Sequence, residues 1–597
     1  MIRNYPVLIA FLLLTTSCAN RSVGPQGGPK DITPPAFVKS TPSNGQLQVN
    51  DKDIELEFNE FVNLDKPGEK IIISPPQVLP PTIRTVNKRV LVTLNDSLQA
   101  NTTYSIDFTS AIVDINERNS LNGFTYCFST GDKIDSLQIA GLVLDAENLN
   151  PLPNLLVGIY DNLNDTAFIK SKPLRIARTN EEGWFSIKNV KESKYHIFAL
   201  NDLNRDFIYN DPNEQMAFCD SIILPSSKII VVEEDSASVD SVPAKRAVNK
   251  TVFLPDSLLL LAFKEKVIKQ SFIKAERKDP YKLTFYFNAP NSNVPVITPL
   301  NFSKSKQDFL QTSSKADTIY YWIADSAIWQ QDTLKLSVAY EKADSTGSMM
   351  VEKDSVALTY KKPVVPKQKG KGPAAPINLL PLKSNISRDI EIYDQPLFTF
   401  DLPILSADGE KIHLYYKKDT LWEELPVVLE KKDTLGFKYG FATTWNTDLS
   451  YKIDVDSAAF VSKYGTHTLA TSFPFKVKGL DQYATLIVIL ANNPEQAVVE
   501  LLNSKDAVIK RLPIINGEVI FEYLKPGDYY FRLFIDTNNN GMWDPGKYSD
   551  KKQAEKVYYF NTLLNLRANW DVEQEWNIKA ITLSEQKPKE LLPKTKR

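Results

Sequence analysis

The chain contains two kinds of segment that each occur twice, which constrains its architecture more than any other feature of the sequence. Residues 101–115 (NTTYSIDFTSAIVDI) align without a gap with residues 448–462 (DLSYKIDVDSAAFVS). Tyr104 then corresponds to Tyr451, at a separation of 347 residues. Because a repeat of this kind is one folded unit, we predict two copies of one domain, which we call type A.

A second segment is duplicated downstream of each type A copy. Residues 183–211 align without a gap with residues 517–545, at a separation of 334 residues, and Gly183 corresponds to Gly517. We call this domain type B. The order predicts an A–B pair, an unpaired third domain, and a second A–B pair.

Short alternating apolar runs indicate that these domains are built from strands. In IELEFNEF, residues 54–61, Ile54, Leu56 and Phe58 fall on one face of an extended chain. Similar runs recur between turns rich in Pro, Asn, Asp and Gly, whereas helical periodicity is nearly absent. We therefore predict an all-β protein, a tandem array of β-sandwich domains.

The chain of 597 residues would suggest about four domains from length alone, but the repeats and the Pro- and Gly-rich linkers favour five. The predicted segments are a signal peptide (1–17), a stalk (18–33), the first type A domain (34–133), the first type B domain (136–225), a linker (226–250), a third sandwich (251–362), a linker (363–377), the second type A domain (378–478), the second type B domain (482–584) and a tail (585–597), which we expect to be frayed.

The N-terminus has the pattern of an exported protein. The apolar run at residues 7–14 is too short to cross about 30 Å of hydrocarbon as a helix, so it indicates a secretion signal. The sequence TTSC before and at Cys18 resembles the lipobox of bacterial lipoproteins, although Thr15 replaces the usual Leu. This resemblance implies cleavage before Cys18 and lipidation of its thiol, the alternative being an incidental thiol. Acyl chains would then tether the protein to a membrane.

Charge and motif content exclude several functions. With 70 basic and 72 acidic residues, the formal charge of −2 predicts no nucleic-acid partner. Cys127 and Cys219 fall in different predicted domains, so we expect buried free thiols. The sequence has no HExxH, GxSxG or GxxxxGK[ST] motif and only three scattered histidines.

Carboxylate pairs are the remaining route to catalysis. Glu57 with Glu60 and Asp114 with Glu117 are close in sequence, but glycosidase carboxylates are defined by spatial separation. Solvated surface charge is the favoured explanation for both pairs. We predict no catalytic residue and no enzyme activity, with a carboxylate-based hydrolase as the least favoured function.

The first type A segment resembles the bacterial Ig-like domain of the S-layer SbsA type. The resemblance rests on the PP start, FVKSTPSNG, IELEFNEFV, LQANTTYSIDF and the closing strand FSTGD. Tyr104 and Tyr451 follow a strand start, where a tyrosine corner lets the hydroxyl bond to an upstream backbone group. GGPKD followed by PP is similar to the stalk of Bacteroidota lipoproteins. In that family such domains are spacers or interaction modules.

The type B segments resemble carboxypeptidase regulatory-like, Cna B-type or transthyretin-like sandwiches. Each has a Gly-led strand, a turn and a Tyr-bearing strand, as in GWFSIKNVKESKYHIFAL and GEVIFEYLKPGDYYFRLFI. Gly183 and Gly517 suit tight turns, and Tyr195 and Tyr529 suit a buried ring with a polar tip. The resemblance implies binding or spacing rather than catalysis.

The second type B domain carries FIDTNNNGMWDPG, residues 534–546, whose oxygens alternate as in a calcium loop. The candidate metal ligands are Asp536, Asn538, Asn540 and Asp544. Asx turns reverse the chain with the same residues and no metal, so a structural turn is favoured. We expect no cofactor, or at most weak calcium binding in the millimolar range.

The earlier copy of this loop matches the calcium pattern less well. Asp202, Asn204 and Asp206 keep the alternating oxygens, but Phe207 replaces the glycine. Asn213 and Lys547 stand where each copy would need a bidentate glutamate. The structural turn is therefore favoured more strongly at Asp202 than at Asp536.

The third domain has aromatic runs such as TIYYWIAD, residues 318–325. Trp322 and Trp329 could belong to an exposed ligand platform, but alternating aromatics more often pack a sandwich core. The core assignment is favoured.

These observations predict a non-catalytic, lipid-anchored cell-envelope protein that acts as a scaffold or interaction module. Its partners would be a membrane, through the lipid, and envelope proteins or glycans. Ala19 is not the aspartate that retains lipoproteins at the inner membrane in the enterobacterial rule, so we predict the outer membrane, at its periplasmic face or the cell surface. The alternative function is a surface adhesin or glycan-binding accessory protein.

Overall fold

The structure is a computed structural model that describes residues 31–235, 245–266, 270–290, 293–343, 349–360, 379–447, 449–491 and 496–594. The signal peptide, Cys18, nearly all of the stalk and the linker 363–377 lie outside the described residues. Two compact units are present, one up to Lys264 and one from Glu265 to Lys594. Among the described residues no helix is long and apolar enough to cross a membrane.

The prediction of an all-β tandem array of sandwiches is confirmed. Helices in the described residues are single turns. The α-helices are α1 (Pro67–Lys70), α2 (Ala167–Lys170) and α3 (Ser326–Trp329), and the 3₁₀ turns are Gly409–Lys411, Leu480–Gln482, Tyr548–Asp550, Leu583–Glu585 and Lys589–Leu591.

The first type A domain is an antiparallel sandwich of small sheets. Its strands are β1 (Phe37–Thr41), β2 (Asp53–Phe58), β3 (Val62–Leu64), β4 (Ile72–Ser74), β5 (Thr82–Val86), β6 (Arg89–Thr93), β7 (Thr103–Asp107), β8 (Ile112–Asp114) and β9 (Thr125–Ser129). The sheets have the orders β1-β2-β6-β5, β4-β7-β9 and β3-β8. Ile54, Leu56 and Phe58 all face the core, as alternation on β2 requires.

The first type B domain contains one seven-stranded sheet. Its strands are β10 (Leu137–Asp145), β11 (Leu156–Tyr160), β12 (Arg175–Arg178), β13 (Trp184–Val190), β14 (His196–Leu200) and β15 (Gln215–Phe218), followed by β16 (Ser226–Asp235), β17 (Lys245–Leu254) and β18 (Leu258–Lys264). The order is β12-β11-β14-β15-β18-β10-β13. β16 and β17 pair with each other in an antiparallel two-stranded sheet.

The boundary after this domain differs from the sequence prediction. Residues 226–235 and 245–250, which the sequence assigned to a linker, lie in β16 and β17, and these strands pair antiparallel with each other. Residues 258–264 were assigned to the third domain, yet β18 pairs in parallel with β10 and contributes Leu260 and Ala262 to the type B core. The paired strands β16 and β17 precede the last strand of the domain, β18, so the composition of residues 226–250 placed the end of the domain too early.

The third domain is a sandwich of two antiparallel sheets. Its strands are β19 (Phe272–Asp279), β20 (Lys282–Phe287), β21 (Val296–Pro299), β22 (Phe309–Thr312), β23 (Thr318–Trp322), β24 (Thr333–Ala343) and β25 (Met349–Thr359). The orders are β19-β20-β23-β22 and β21-β24-β25. Trp322 is buried and Trp329 packs against the core cluster, so neither belongs to an exposed platform.

The second type A domain repeats the plan of the first. Its strands are β26 (Lys383–Ser384), β27 (Asp389–Ile390), β28 (Leu397–Thr399), β29 (Ile404–Ala407), β30 (Ile412–Lys418), β31 (Leu421–Leu425), β32 (Glu430–Lys431), β33 (Lys438–Gly440), β34 (Ser450–Val455), β35 (Phe460–Ser462) and β36 (Thr471–Val477). The sheets are β26-β28-β33-β32, β27-β36-β34-β30-β31 and β29-β35.

The second type B domain has strands β37 (Ala484–Leu490), β38 (Ala497–Leu502), β39 (Val508–Pro513), β40 (Glu518–Leu524), β41 (Gly527–Ile535), β42 (Val557–Tyr559), β43 (Leu564–Leu566) and β44 (Asp571–Trp576). The sheets are β40-β37-β44 and β39-β38-β41-β42, with β43 also on β41. β44 lies parallel to β37, just as β18 lies parallel to β10. The last strand of each copy therefore has the same place.

The tail is more ordered than expected. Gln586, Lys587 and Leu591 are buried, and Nζ of Lys587 lies 2.6 Å from Oδ2 of Asp506. The Nε2 group of Gln586 donates to the carbonyl of Ile578. Oε1 of Gln586 also accepts from the backbone N–H of Tyr559 on β42. The tail is therefore packed against the second type B domain at these residues rather than frayed.

The duplicated tyrosines make the same bonds in both copies. The hydroxyl of Tyr104 accepts from the backbone N–H of Gln99 at 2.8 Å, and that of Tyr451 accepts from Asn446 at 2.9 Å. Both partners of the bond obey the repeat, because Tyr104 and Tyr451 are 347 residues apart and so are Gln99 and Asn446. Each bond ties the strand start to the loop before it, which is the geometry of a tyrosine corner.

Type B has its own tyrosine bond and glycine turn. Tyr195 donates to the carbonyl of Lys191 at 2.9 Å, and Tyr529 donates to that of Lys525 at 2.8 Å. Gly183 and Gly517 have φ values of 79° and 86°. A Cβ on Gly183 would lie 2.6 Å from the carbonyl oxygen of Val143, so that turn requires glycine on two grounds.

Candidate binding site

A cavity of about 460 Å³ lies between the first type A and first type B domains. Its apolar wall includes Ile72, Ile176 and Phe207, which also form a small hydrophobic cluster with Leu156. Ile83 contributes from the type A side. A concave, largely apolar site between two domains is the usual form of a ligand pocket.

Polar groups at this cavity are mainly cationic. Lys172, Arg178 and Arg205 line it together with a single carboxylate, that of Asp202. Burial lowers the pKa of Arg178, and the Asp202 carboxylate opposes that shift. Oε1 of Gln77 is buried and accepts no hydrogen bond from any described residue. The lining can accommodate an apolar group that carries an anionic or hydrogen-bond-donating end.

The same domain junction is held by a buried arginine. The Arg175 side chain is 4% exposed and donates to the carbonyl of Thr103 and, at 3.4 Å, to Oγ of Ser105. Its Nη2 lies 4.0 Å from Oδ2 of Asp135. Burial lowers the pKa of Arg175, and the Asp135 carboxylate raises it. Ser74 makes a second contact across this junction. Its hydroxyl donates to the carbonyl of Ile176 and accepts from the backbone N–H of the same residue.

In the second unit, Glu391 holds the second type A and type B domains together. It accepts from Nζ of Lys478 at 2.7 Å, from Nζ of Lys525 at 2.9 Å and from the hydroxyl of Tyr483. Burial raises the pKa of Glu391, but these three donors outweigh it and lower the pKa to about 2. The Glu391 carboxylate is therefore ionised at neutral pH and pairs with both lysines at the junction.

Aromatic rings join the third domain to the second type A domain. The ring of Tyr464 stacks on Tyr281 with centroids 4.0 Å apart, and its hydroxyl donates to the carbonyl of Ile323 at 3.1 Å. Trp322 and Phe437 also meet, with centroids 5.3 Å apart. Trp322 is thus part of a junction rather than of a surface site.

The loop after β41 is held by its own side chains. Asp536 is 2% exposed and accepts from the backbone N–H groups of Asn540 and Gly541. The amides of Asn538 and Asn540 both donate to Oδ2 of Asp544. The four predicted metal ligands are brought together, but their hydrogen bonds are those of an Asx-turn loop.

The loop after β14 has the same backbone form. Asp202 accepts from the N–H groups of Asp206 and Phe207, at 3.2 Å and 3.0 Å. Phe207 has φ of 67° where Gly541 has 71°. A left-handed phenylalanine costs about 1 kcal/mol, which burial of its ring against Ile72 and Ile176 offsets. The sequence mismatch therefore does not change the loop conformation.

Each loop has an acidic partner that the sequence analysis missed. Oε1 of Glu214 accepts from the backbone N–H of Leu203 at 3.0 Å, and Oε1 of Glu555 accepts from that of Thr537 at 2.7 Å. Glu214 lies one residue beyond Asn213, the position that the calcium-loop pattern assigns to a bidentate glutamate. Glu555 is displaced further because the second loop contains an inserted turn, residues 548–550. A search extended past the gap-free alignment would have found both.

Several predicted residues have structural roles only. Asp114 is not solvated surface charge as expected, because it is buried and accepts from the N–H groups of Glu117, Arg118 and Asn119, which shapes its own loop. Cys127 and Cys219 are free thiols, part-buried rather than fully buried. Within the described ranges, no group of three or more His, Cys, Asp or Glu side chains is placed to hold a metal ion.

A more open groove of about 730 Å³ lies on the second type A domain. It is lined by Trp422, Lys417, Arg388 and Lys476, among others. Trp422 is 41% exposed, and Nζ of Lys452 lies 5.5 Å from its ring centroid. This surface combines an exposed indole ring with several cations.

Comparison with protein families matches residues 31–130 to the bacterial Ig-like domain. The first type A domain is therefore of the bacterial Ig-like class, a class of structural or interaction modules and a typical component of extracellular or surface proteins. The SbsA type, the Bacteroidota origin and the resemblances proposed for the other domains stay predictions. The comparison with curated protein sequences found no match.

The comparison with solved structures found matches of low structural similarity. They include the N-terminal part of the bacterial S-layer protein SbsC (13% identity, TM-score 0.13, covering 30% of this chain and 42% of that one), native alpha-2-macroglobulin from Escherichia coli spanning domains MG0-NIE-MG1 (9%, 0.18, 50% and 97%) and Protocadherin Gamma B2 extracellular cadherin domains 1-5 (9%, 0.12, 85% and 94%). The chain spans less than half of the S-layer fragment. TM-scores this low carry no argument about function.

Proposed function

We propose that this chain is a non-catalytic, lipid-anchored scaffold of the cell envelope that holds interaction surfaces at fixed spacing. The observation that carries the proposal is the way neighbouring domains are joined within each unit. Each of three junctions between neighbouring domains is held by buried or part-buried polar contacts. The residues that make them are Arg175, Glu391 and Tyr464. Domains joined by flexible linkers would not need such contacts. A spacer needs them, because they fix the distance between its binding surfaces.

The outer membrane is the proposed location, with Cys18 as the lipid-bearing residue. The TTSC sequence and the stalk after it support this location. Detergent-phase partition of the native protein tests it, with Cys18→Ser as the matched control. We expect the native chain in the detergent phase and the variant in the aqueous phase. Recovery of both chains in the same phase would contradict lipid anchoring.

Protease treatment of intact cells separates the two orientations. A periplasmic scaffold is protected until the outer membrane is opened, whereas a surface protein is digested at once. Either result is compatible with a scaffold, but a native chain found free in the cytoplasm would overturn the proposal.

The second candidate function is glycan binding, which the groove at Trp422 favours. Exposed aromatic rings provide stacking faces for sugars, and the adjacent Lys417 and Arg388 would suit acidic glycans. Binding of the purified chain to a panel of acidic and neutral glycans tests this function. We expect any binding to be lost in Trp422→Ala and kept in Trp570→Ala, a change at another exposed tryptophan.

A further inference from the structure

We propose that the cavity between the first type A and first type B domains binds a single-chain amphipathic anion, an aliphatic carboxylate of about eight to ten carbons. Cationic side chains of the lining hold the carboxylate, and the apolar wall packs against the chain. This inference goes beyond the scaffold function and does not depend on it. The observation that carries it is a group of cations without acidic partners, placed at an apolar cavity that two domains share.

Three cations line the cavity, and none of them forms an ion pair with a carboxylate in the described part of the chain. Lys172 donates to the carbonyl of Gln77 at 3.3 Å, and Arg178 donates to that of Asn154 at 3.1 Å. Arg205 is exposed and makes no hydrogen bond or ion pair with any residue that the structure describes. A concave surface with one sign of charge attracts ligands of the opposite sign, so an anion is the expected occupant.

The single carboxylate at the cavity, that of Asp202, already has backbone partners. Its Oδ1 accepts from the N–H of Asp206 at 3.2 Å, and its Oδ2 accepts from the N–H of Phe207 at 3.0 Å. Both oxygens are therefore used within the loop after β14. One carboxylate among three cations leaves the lining with a positive charge.

The two arginines at the cavity are close enough to affect each other. Burial lowers the pKa of Arg178, Asp202 raises it, Arg205 lowers it and Glu69 raises it. Because the net direction is downward, the nearby acidic side chains compensate the buried charge of Arg178 only in part. A carboxylate bound beside the two guanidinium groups supplies the missing negative charge.

The apolar part of the lining suits an aliphatic chain. Ile72 and Ile83 contribute from the type A domain, and Ile176 and Phe207 contribute from the type B domain. Nζ of Lys172 lies 5.2 Å from the ring centroid of Phe207, so the cationic and apolar parts of the lining meet. An anion with a chain uses both parts, because burial of the chain adds to the charge interaction. A peptide would instead place backbone amides against the apolar wall, which cannot satisfy them.

The size of the cavity selects a small ligand. Its volume of about 460 Å³ corresponds to about fifteen water molecules at about 30 Å³ each. An aliphatic carboxylate with about ten to twelve non-hydrogen atoms fits this volume, whereas a lipid with two acyl chains exceeds it. Val78 also lines the cavity and is 70% exposed, so the apolar lining continues to the solvent and the ligand can enter there.

A ligand in this cavity contacts both domains of the pair. The lining comes from residues 67–83 of the type A domain and residues 172–207 of the type B domain. Because the complete site exists only when the two domains are joined, binding stabilises their junction.

The test is isothermal titration calorimetry of the full chain with sodium octanoate at neutral pH. We expect saturable binding of octanoate and none of 1-octanol or octyltrimethylammonium, which carry the same chain without the negative charge. Octanoate should also slow limited proteolysis between residues 131 and 137, because it stabilises the junction.

Two variants and two matched controls assign the binding to this cavity. Arg205→Gln removes an unpaired cation, and Val78→Glu adds a carboxylate to the exposed wall, so each should weaken octanoate binding about tenfold. Arg118→Gln should leave the affinity unchanged, because Arg118 has the same φ of 64° as Arg205 but lies outside the cavity. Val78→Thr keeps the size of the side chain without charge and should change little. Circular dichroism checks that each variant is folded.

Four outcomes would overturn the proposal. The first is no octanoate bound to the native chain at millimolar concentration. The second is equal affinity for octanoate and 1-octanol, which would mean that the cations play no part. The third is equal weakening by Arg205→Gln and Arg118→Gln, which would place the ligand elsewhere. The fourth is tighter binding of an acetylated peptide that ends in leucine, which would identify a polypeptide C-terminus as the ligand.

Discussion

Glu214 and Glu555 make the same hydrogen bond in the two type B domains, although they lie outside the gap-free alignment of those domains. Each accepts, through Oε1, from the residue that follows the first aspartate of its loop, Leu203 or Thr537. The bond joins the start of the loop to its end, just before β15 in the first domain and β42 in the second. Glu214 and Glu555 thus have equivalent positions in the structure, although the inserted turn at residues 548–550 puts them out of alignment in the sequence.

The tyrosine corners should contribute similar stability in both type A domains. Tyr104→Phe and Tyr451→Phe each remove one hydroxyl that accepts a backbone N–H, and we expect each to lower the free energy of unfolding of its domain by about 1 kcal/mol. Calorimetry of the full chain measures the change. Tyr523→Phe, at a more exposed ring, is the control and should change little. An unchanged transition in both variants would show that the bond is not structural.

Arg175→Met should weaken the junction of the first type A and type B domains. The change leaves the Thr103 carbonyl and the Asp135 carboxylate without their buried cation, at a cost of about 2 kcal/mol. We expect faster proteolysis between residues 131 and 137, measured by limited digestion. Arg89→Met, at a half-exposed arginine on β6, is the control. Equal cleavage of both variants would contradict a locking role.

The Glu391 lock should make the second unit sensitive to acid. Its pKa is lowered in the folded chain from 4.5 to about 2, so its contribution is present above the unfolded pKa and is lost as pH falls from about 5 towards 2. Glu391→Gln should cost about 2 kcal/mol at pH 7 and flatten this part of the stability profile. Urea unfolding at several pH values tests both effects. A variant whose acid dependence equals that of the native chain would exclude Glu391 as its source.

The tail should be required for stability of the second type B domain. Ending the chain after Glu585 removes buried Gln586, Lys587 and Leu591 and leaves Asp506 without its lysine. We expect a loss of about 3 kcal/mol from lost burial and the broken ion pair. Ending it after Leu592 is the control, because that chain keeps all three side chains. Equal melting temperatures for the two truncations would mean that the tail is dispensable.

Much of the fold follows from local pattern. Alternation at Ile54, Leu56 and Phe58 predicts strands because successive side chains point to opposite faces. The constant separation between Tyr104 and Tyr451 predicts a repeated domain, since a repeat preserves the contacts within one unit. Neither inference requires knowledge of what a segment packs against.

The junctions could not be predicted in the same way. By strand pairing, Arg175 in the first type B domain corresponds to Lys510 in the second. The junction of the second pair is instead held by Glu391. The duplicated domains are thus joined differently in the two pairs. A contact between domains depends on surfaces that are far apart in sequence, so a repeat does not predict it.

The sequence by itself determined the strand-rich class, the duplicated A–B order and the loops whose aspartates bond to their own backbone, because each depends on neighbours within a few residues. Only the tertiary structure decided that β18 belongs to the first type B core, that the tail is buried and that Glu214 faces the loop with a spare oxygen. These three features depend on burial and pairing between distant segments, which local spacing does not specify.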